Sequence, residues 1–221
     1  MIAEQIMSDV VPALKPKDFC NTALSWMEVF KISHLPVVEN QIYKGMISDT
    51  MIYDANIFDN PVSELTNEFI TAKVSPNQHF FEIIDVFSRY RLTALPVVKG
   101  EKYFKGLITL PTLIESLSVM FTSDSHGGII ILEMHANDYS LHEISQIVES
   151  NDARIMACYT SNIPDSMRMR VTLKLNKNDL TSILRTFERY EYEVSASYVE
   201  EDRFNDIIKD RFDSFMQYLD I

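Results

Sequence analysis

Glycine is scarce in this chain, five in 221 residues. A phosphate-cradling glycine loop or a nucleophile elbow needs glycines at close spacing, and no such run is present, nor any paired-carboxylate motif. No catalytic set assembles, so the chain reads as a non-enzyme. Cysteine is nearly absent too: Cys20 and Cys158 are far apart and lie among apolar residues. That suits reduced, buried thiols better than a disulfide framework. Long apolar runs are missing. The best, GGIIILEM at 127–134, has strand length and falls well short of the ~20 residues that span a bilayer. The opening MIAEQIMSDVV has neither the basic nor the apolar region of a secretory signal. The expectation is a cytoplasmic protein with no membrane partner. Positive charge is in deficit, 20 Lys and Arg against 32 Asp and Glu for a net of -12, which opposes binding to a phosphate backbone and argues against a nucleic-acid partner. An anionic ligand would have to be held by local donors against that field. His126, His135 and His142 stand near one another without cysteine or carboxylate at ligand spacing, and no metal site is expected.

What the chain does contain is a duplication. SHLPVVENQIYKGMIS, from Ser33 to Ser48, returns as TALPVVKGEKYFKGLIT, from Thr93 to Thr109. Pro16 matches Pro76, Leu24 matches Ile84, Met27 matches Phe87, Phe30 matches Tyr90 and Pro36 matches Pro96, all sixty apart. Gly45 and Gly106 are sixty-one apart, so the second copy carries one extra residue near Gly100, where a turn absorbs it. A fixed internal period marks a repeated supersecondary unit.

In each copy a helix precedes two short strands. Ala23, Leu24, Met27, Val29 and Phe30, and then Phe80, Ile83, Ile84, Phe87 and Tyr90, give the spacing of one apolar helical face. LPVV and YKGMIS, then LPVV and YFKGLIT, read as strands joined by tight turns at EN and KGE. Pro36 and Pro96 have no N–H and belong at a strand start or an unpaired edge. Gly45 and Gly106 read as the beginnings of strands beside the turn, needed either for an unusual dihedral or for the close approach of another backbone or a ligand. Helices follow at about 49–56 and 110–121, and VVPALKP and FITAKVSP are extended lead-ins. The unit is β-α-β-β-α.

This tandem pattern resembles a pair of CBS domains, the cystathionine-β-synthase module, over about Ile2 to Met120. The resemblance implies two clefts that bind adenine nucleotides. Ser48 and Thr109, the hydroxyls after the second strand, would point to a phosphate or ribose. The backbone at His34-Leu35-Pro36 and Ala94-Leu95-Pro96 would hold an adenine. The family's aspartate three residues after the hydroxyl is replaced by Met51 and Thr112, and Asp49 points elsewhere on a helix that turns 100° per residue. Thr112 is the partial substitute. The clefts therefore either bind AMP, ADP, ATP or S-adenosylmethionine, or serve structure alone. His34 either meets a phosphate or is a partly buried histidine satisfied by backbone.

TSDSHGG at 122–128 reads as a linker. Beyond it, GIIILEMHA is a strand and DYSLHEISQIVESN an amphipathic helix with Leu141, Ile144, Ile147 and Val148 on one face. RIMACYTSNI and MRMRVTLKLN are strands about Pro164-Asp165, the second with Met167, Met169, Val171, Leu173 and Leu175 alternating inward. NDLTSILRTFERY starts at an Asn178 or Asp179 cap and buries Leu180, Ile183, Leu184 and Phe187, and EVSASYV closes the set. The order βαββαβ is that of a ferredoxin-like fold, and its place after the repeats makes it resemble an ACT domain. That resemblance implies an amino-acid effector at the loop after the first strand, here Asn137, Asp138, Tyr139 and Ser140 with no glycine, or a role in dimerisation. EEDRFNDIIKDRFDSFMQYLDI carries a helical stripe of Phe204, Ile207, Ile208, Phe212, Phe215 and Leu219.

The reading is an α+β chain: CBS repeats at 1–60 and 61–121, a linker at 122–128, an ACT-like domain at 129–200 and a C-terminal helix at 201–221. The order resembles bacterial acetoin-utilisation proteins. The function expected is a non-enzymatic sensor whose clefts take an adenine nucleotide and bias the domain arrangement, working as a homodimer on a protein partner the sequence does not name. The alternatives are a ligand-free homodimeric scaffold and amino-acid sensing through the ACT-like domain.

Overall fold

The computed structural model describes residues 1–121 and 127–199. His126, most of the expected linker and the apolar stripe from Phe204 to Leu219 lie outside the described residues. The chain is α+β with two four-stranded antiparallel sheets, and it divides into two compact units, Met1–Val119 and Met120–Ile221.

The first unit runs α1 (Ala3–Ile6), α2 (Cys20–Phe30), β1 (His34–Glu39), β2 (Ile42–Ser48), α3 (Asp49–Ala55), a 3-10 turn at Val62–Glu68, α4 (Phe80–Tyr90), β3 (Ala94–Lys99), β4 (Tyr103–Thr109) and α5 (Leu110–Phe121). Its sheet has the order β1-β2-β4-β3. Both prolines thus fall on edge strands, where a missing N–H costs no ladder bond. The β1–β2 turn has positive φ at Asn40 and Gln41, 50° and 67°, the paired left-handed geometry that matches strand twist. It lies one residue beyond the expected EN.

The two hairpins share a register. His34 opposes Ser48 and Ala94 opposes Thr109, and each hairpin bulges at the same place, between Val37 and Val38 or between Val97 and Val98. The lead-in segments lace them together. Ser8 bridges Leu107 of β4, and Ile70 bridges Met46 of β2, before each segment returns to its own half through Leu14–Val37 or Val74–Val97. This lacing explains both glycines. A Cβ on Gly45, at φ 146°, would stand 2.6 Å from Phe69 Cβ, and one on Gly106 would stand 3.1 Å from the Ser8 carbonyl oxygen. Both sit in mid-strand opposite the bulges, not at strand beginnings as the sequence suggested.

The core of the first half gathers Leu14, Cys20, Ala23, Met27, Leu35 and Ile47, with Trp26 packed at its edge. Val29 and Tyr90, expected inside, are 71% and 50% exposed. Val29 is two residues past buried Met27, which turns it about 200° away from the core. Tyr90 is the last residue of α4, where the chain breaks into a left-handed cap at Arg91. The short α1 and the 3-10 turn were not foreseen, since neither shows a full period of apolar spacing.

The second unit runs β5 (Ile129–His135), a 3-10 turn at Ala136–Asp138, α6 (Leu141–Glu149), β6 (Ile155–Asn162), β7 (Arg168–Leu175), α7 (Thr181–Arg189) and β8 (Glu193–Tyr198). Its sheet order is β6-β7-β5-β8. Ile130, Leu132, Val171 and Leu173 meet Ile144, Ile147, Ile183 and Phe187 in one core. Leu141 and Met167 are exceptions, 47% and 80% exposed. Leu141 opens α6 and Met167 precedes β7, so neither has a packed turn or strand around it. Cys158 is only half-buried, unlike Cys20. α7 begins at Thr181 with Leu180 at the cap position, while Asp179 accepts from the Thr181 N–H at 3.0 Å.

Candidate functional site

The residues suggested for the two clefts fall at the ends of the two hairpins. β2 ends at Ser48 and β4 at Thr109, and both hydroxyls become helix caps because α3 and α5 start at the next residue. Ser48 is buried, and its Oγ accepts from the Met51 N–H at 3.2 Å. The Met51 sulfur in turn accepts from the Ser48 N–H at 3.4 Å. The remaining donors of this first turn are also taken: Asp49 N–H by the Ser33 carbonyl at 3.1 Å, and Thr50 N–H by the Asp49 carboxylate at 2.6 Å. The donors at the start of α3 are therefore occupied, and its first turn carries the acid Asp49.

α5 starts differently. Leu110 N–H donates to the Thr93 carbonyl at 2.9 Å, and Thr112 N–H reaches Thr109 Oγ1 only at 3.4 Å. The Thr109 and Thr112 hydroxyls are 2.9 Å apart, both half-buried, and no acid stands in the first turn. One hydroxyl proton of this pair is left for another acceptor. Methionine in one copy and threonine in the other thus give the two equivalent positions different chemistry.

Pro36 and Pro96 are buried, and their carbonyls hold the lead-ins, accepting from Leu14 N–H at 2.9 Å and Val74 N–H at 3.0 Å. Ala94 is buried opposite Thr109. His34 is half-buried, and its Nδ1 lies 3.0 Å from Thr93 Oγ1 and 3.3 Å from the Thr93 N. Burial pushes its pKa down, and the nearby Asp49 carboxylate partly opposes this. Structure therefore brings His34 to Ser48 and Thr93, and Ala94 to Thr109 and Thr112. An opening of about 650 Å3 lies beside this region between α2 and α3, lined by Glu28, Lys31, Ser33, Asp49 and Tyr53. The sequence reading missed it because its lining comes from two helices and the turn between them and the strand.

In the second unit, Asn137 and Asp138 stand exposed in the 3-10 turn after β5. Tyr139 packs against the core, and Ser140 Oγ caps α6 by accepting from Glu143 N–H at 3.3 Å. Asp138 alone of the four borders a cavity of about 390 Å3, with Glu133, Glu143, Arg168, Tyr192 and Glu193. Arg168 pairs with Glu193, while its Nε is buried without a partner. Tyr192 donates to Glu143 at 2.7 Å, and burial together with that carboxylate pushes its phenol pKa up. Arg170 holds Glu133 below the usual carboxylate range. Among the described residues no group of three or more His, Cys, Asp or Glu is placed to hold a metal ion, and no helix is long and apolar enough to cross a membrane.

Residues 62–119 match the family model of the CBS domain. Among solved structures, the chain is similar to a CBS domain pair/ACT domain protein from Thermotoga maritima, at 16% identity over 55% of this chain and 99% of that one, with a TM-score of 0.47. It is similar to a putative acetoin utilization protein from Vibrio cholerae, at 24% identity over 56% and 97%, TM-score 0.47. A third similar structure is that of CBSX2 in complex with AMP, at 16% identity over 52% and 95%, TM-score 0.45.

Proposed function

We propose that this chain is a non-enzymatic regulator, a tandem CBS pair at 1–60 and 61–121 followed by an ACT-like domain at 129–200, which binds an adenine nucleotide beside the hairpin ends. The observation that carries this reading is the match of residues 62–119 to the CBS domain. It is supported by the first hairpin, which repeats the register and bulge of the second. AMP, ADP, ATP and S-adenosylmethionine are the candidate ligands. Thr109 and Thr112 are the better cap for one of them, since Ser48 is closed in by Met51. A regulatory role follows if the ligand prefers one arrangement of the protein over another.

Isothermal calorimetry and a melting-temperature screen with those four compounds test the reading. A ligand at 100 times its dissociation constant adds about 2.7 kcal/mol to the state it binds. Saturable binding that weakens in Thr112→Val supports it. Silence across all four compounds sinks it and favours the ligand-free homodimeric scaffold.

A second reading, amino-acid sensing in the second unit, is favoured by the cavity beside Asp138. Its buried, unpartnered Arg168 Nε could take a carboxylate, and its surrounding acids an ammonium group. The same screen extended to amino acids separates the two, because a shift abolished by Arg168→Gln and untouched by Thr112→Val belongs to the second unit.

A further inference from the structure

The halves of the first unit meet at Ser33 and Thr93, which occupy equivalent places in the two copies. Thr93 Oγ1 accepts from the Ser33 N–H at 2.8 Å and lies 3.0 Å from His34 Nδ1, while the Thr93 N–H reaches the same Nδ1 at 3.3 Å. A backbone N–H can only donate. Nδ1 is therefore an acceptor, the ring proton sits on Nε2, and the Thr93 hydroxyl donates to Nδ1 while accepting from Ser33. The three bonds close a clasp that in this form needs a neutral imidazole: a ring protonated on Nδ1 can still donate to the Thr93 hydroxyl, but it leaves the Thr93 N–H without its acceptor.

The clasp is one-sided, because the residue equivalent to His34 is Ala94. It is also tied to both helix starts: the Ser33 carbonyl holds Asp49 N–H, and the Thr93 carbonyl holds Leu110 N–H. Loosening Ser33 or Thr93 releases the backbone next to Ser48 or Thr109.

We propose that this clasp is an acid-released latch, in which protonation of His34 on Nδ1 removes the lone pair that accepts the Thr93 N–H and lets the two halves loosen at their meeting point. The inference rests on the clasp geometry and stands whether or not a nucleotide binds nearby.

The direction follows from linkage. Burial disfavours the proton on the closed ring, and Asp49 at the start of α3 is the charge that favours it, the weaker of the two effects. The first turn of α5 adds no acid. Lys31 and Arg91, the left-handed caps two residues before Ser33 and Thr93, are cations of the opposite sign to Asp49. An opened ring titrates at the ordinary value of about 6.5. Below that pH the open form binds a proton that the closed form does not, so acid favours opening by at most about tenfold per pH unit, and the effect levels off at the lower pKa of the closed ring. Above about pH 7.5 nothing changes.

The test is amide hydrogen exchange by NMR on the full chain, with each rate divided by its unstructured value at the same pH. Between pH 7.5 and 5.5 the protection of Ser33 and Thr93 should fall, by at most about tenfold. Ring 15N shifts should show the Nε2–H tautomer, titrating below the ordinary value. His34→Asn puts an amide oxygen near Nδ1 without a titrating group and should flatten the pH dependence of both amides. An equal fall in His34→Asn overturns the latch, as does a wild-type ring protonated on Nδ1 at neutral pH or titrating at or above the ordinary value. If His34→Asn does not fold, the wild-type ring titration decides alone.

Discussion

Gly45 and Gly100 both have positive φ, 146° and 62°, yet alanine should affect them differently. At Gly45 the new Cβ meets Phe69 at 2.6 Å within a buried strand, while at Gly100 nothing lies within 4 Å. Urea denaturation should show Gly45→Ala losing about 2–4 kcal/mol, from backbone strain and overpacking together. Gly100→Ala should lose only about 1–2 kcal/mol, the cost of a left-handed alanine. Equal losses would mean that Phe69 moves aside freely. At this scale the sequence was legible in part. It marked Gly45 and Gly106 as special and offered two reasons; the lead-in of the opposite half, distant in sequence, supplies the close approach at both.

At the scale of elements, the caps of α3 and α5 offer a matched comparison. Ser48→Ala removes a buried acceptor that holds Met51 N–H at 3.2 Å, and should cost about 1 kcal/mol. Thr109→Ala removes a longer cap bond, 3.4 Å, and the 2.9 Å contact with the Thr112 hydroxyl, but both groups are half-buried and water can replace the lost partner, so it should cost less than its partner variant. Chemical denaturation of the two side by side measures the difference, and a larger loss at Thr109 would contradict this account of the caps. The helices and strands themselves were readable because α4 and α7 bury residues at three- and four-residue spacing, Phe80, Ile83, Phe87 and Ile183, Phe187. Failures came at element ends, as with Tyr90, Leu141 and Met167, and at Val29, which faces away from the core. Apolar character does not bury a side chain that has no neighbour beyond it.

For the whole molecule, the proposed homodimer has a physical motive in the apolar side chains left on helix surfaces, among them Val29, Ile114 and Val119 at 71%, 55% and 72% exposed. Light scattering at micromolar concentration should give twice the chain mass of 25.6 kDa. A monomer would remove both the dimer and the scaffold reading that depends on it.

The sequence by itself determined the α+β character, the duplication and the positions of most helices and strands, because these depend on local periodicity and on residues such as proline and glycine that act on their own backbone. Only the tertiary structure decided the lacing of the lead-ins, the closure of Met51 over Ser48 and the clasp of His34 on Thr93. The lacing and the clasp join groups distant in sequence, and Met51 reaches the Ser48 N–H at 3.4 Å only once α3 has formed, so a sequence specifies such contacts only through the fold as a whole.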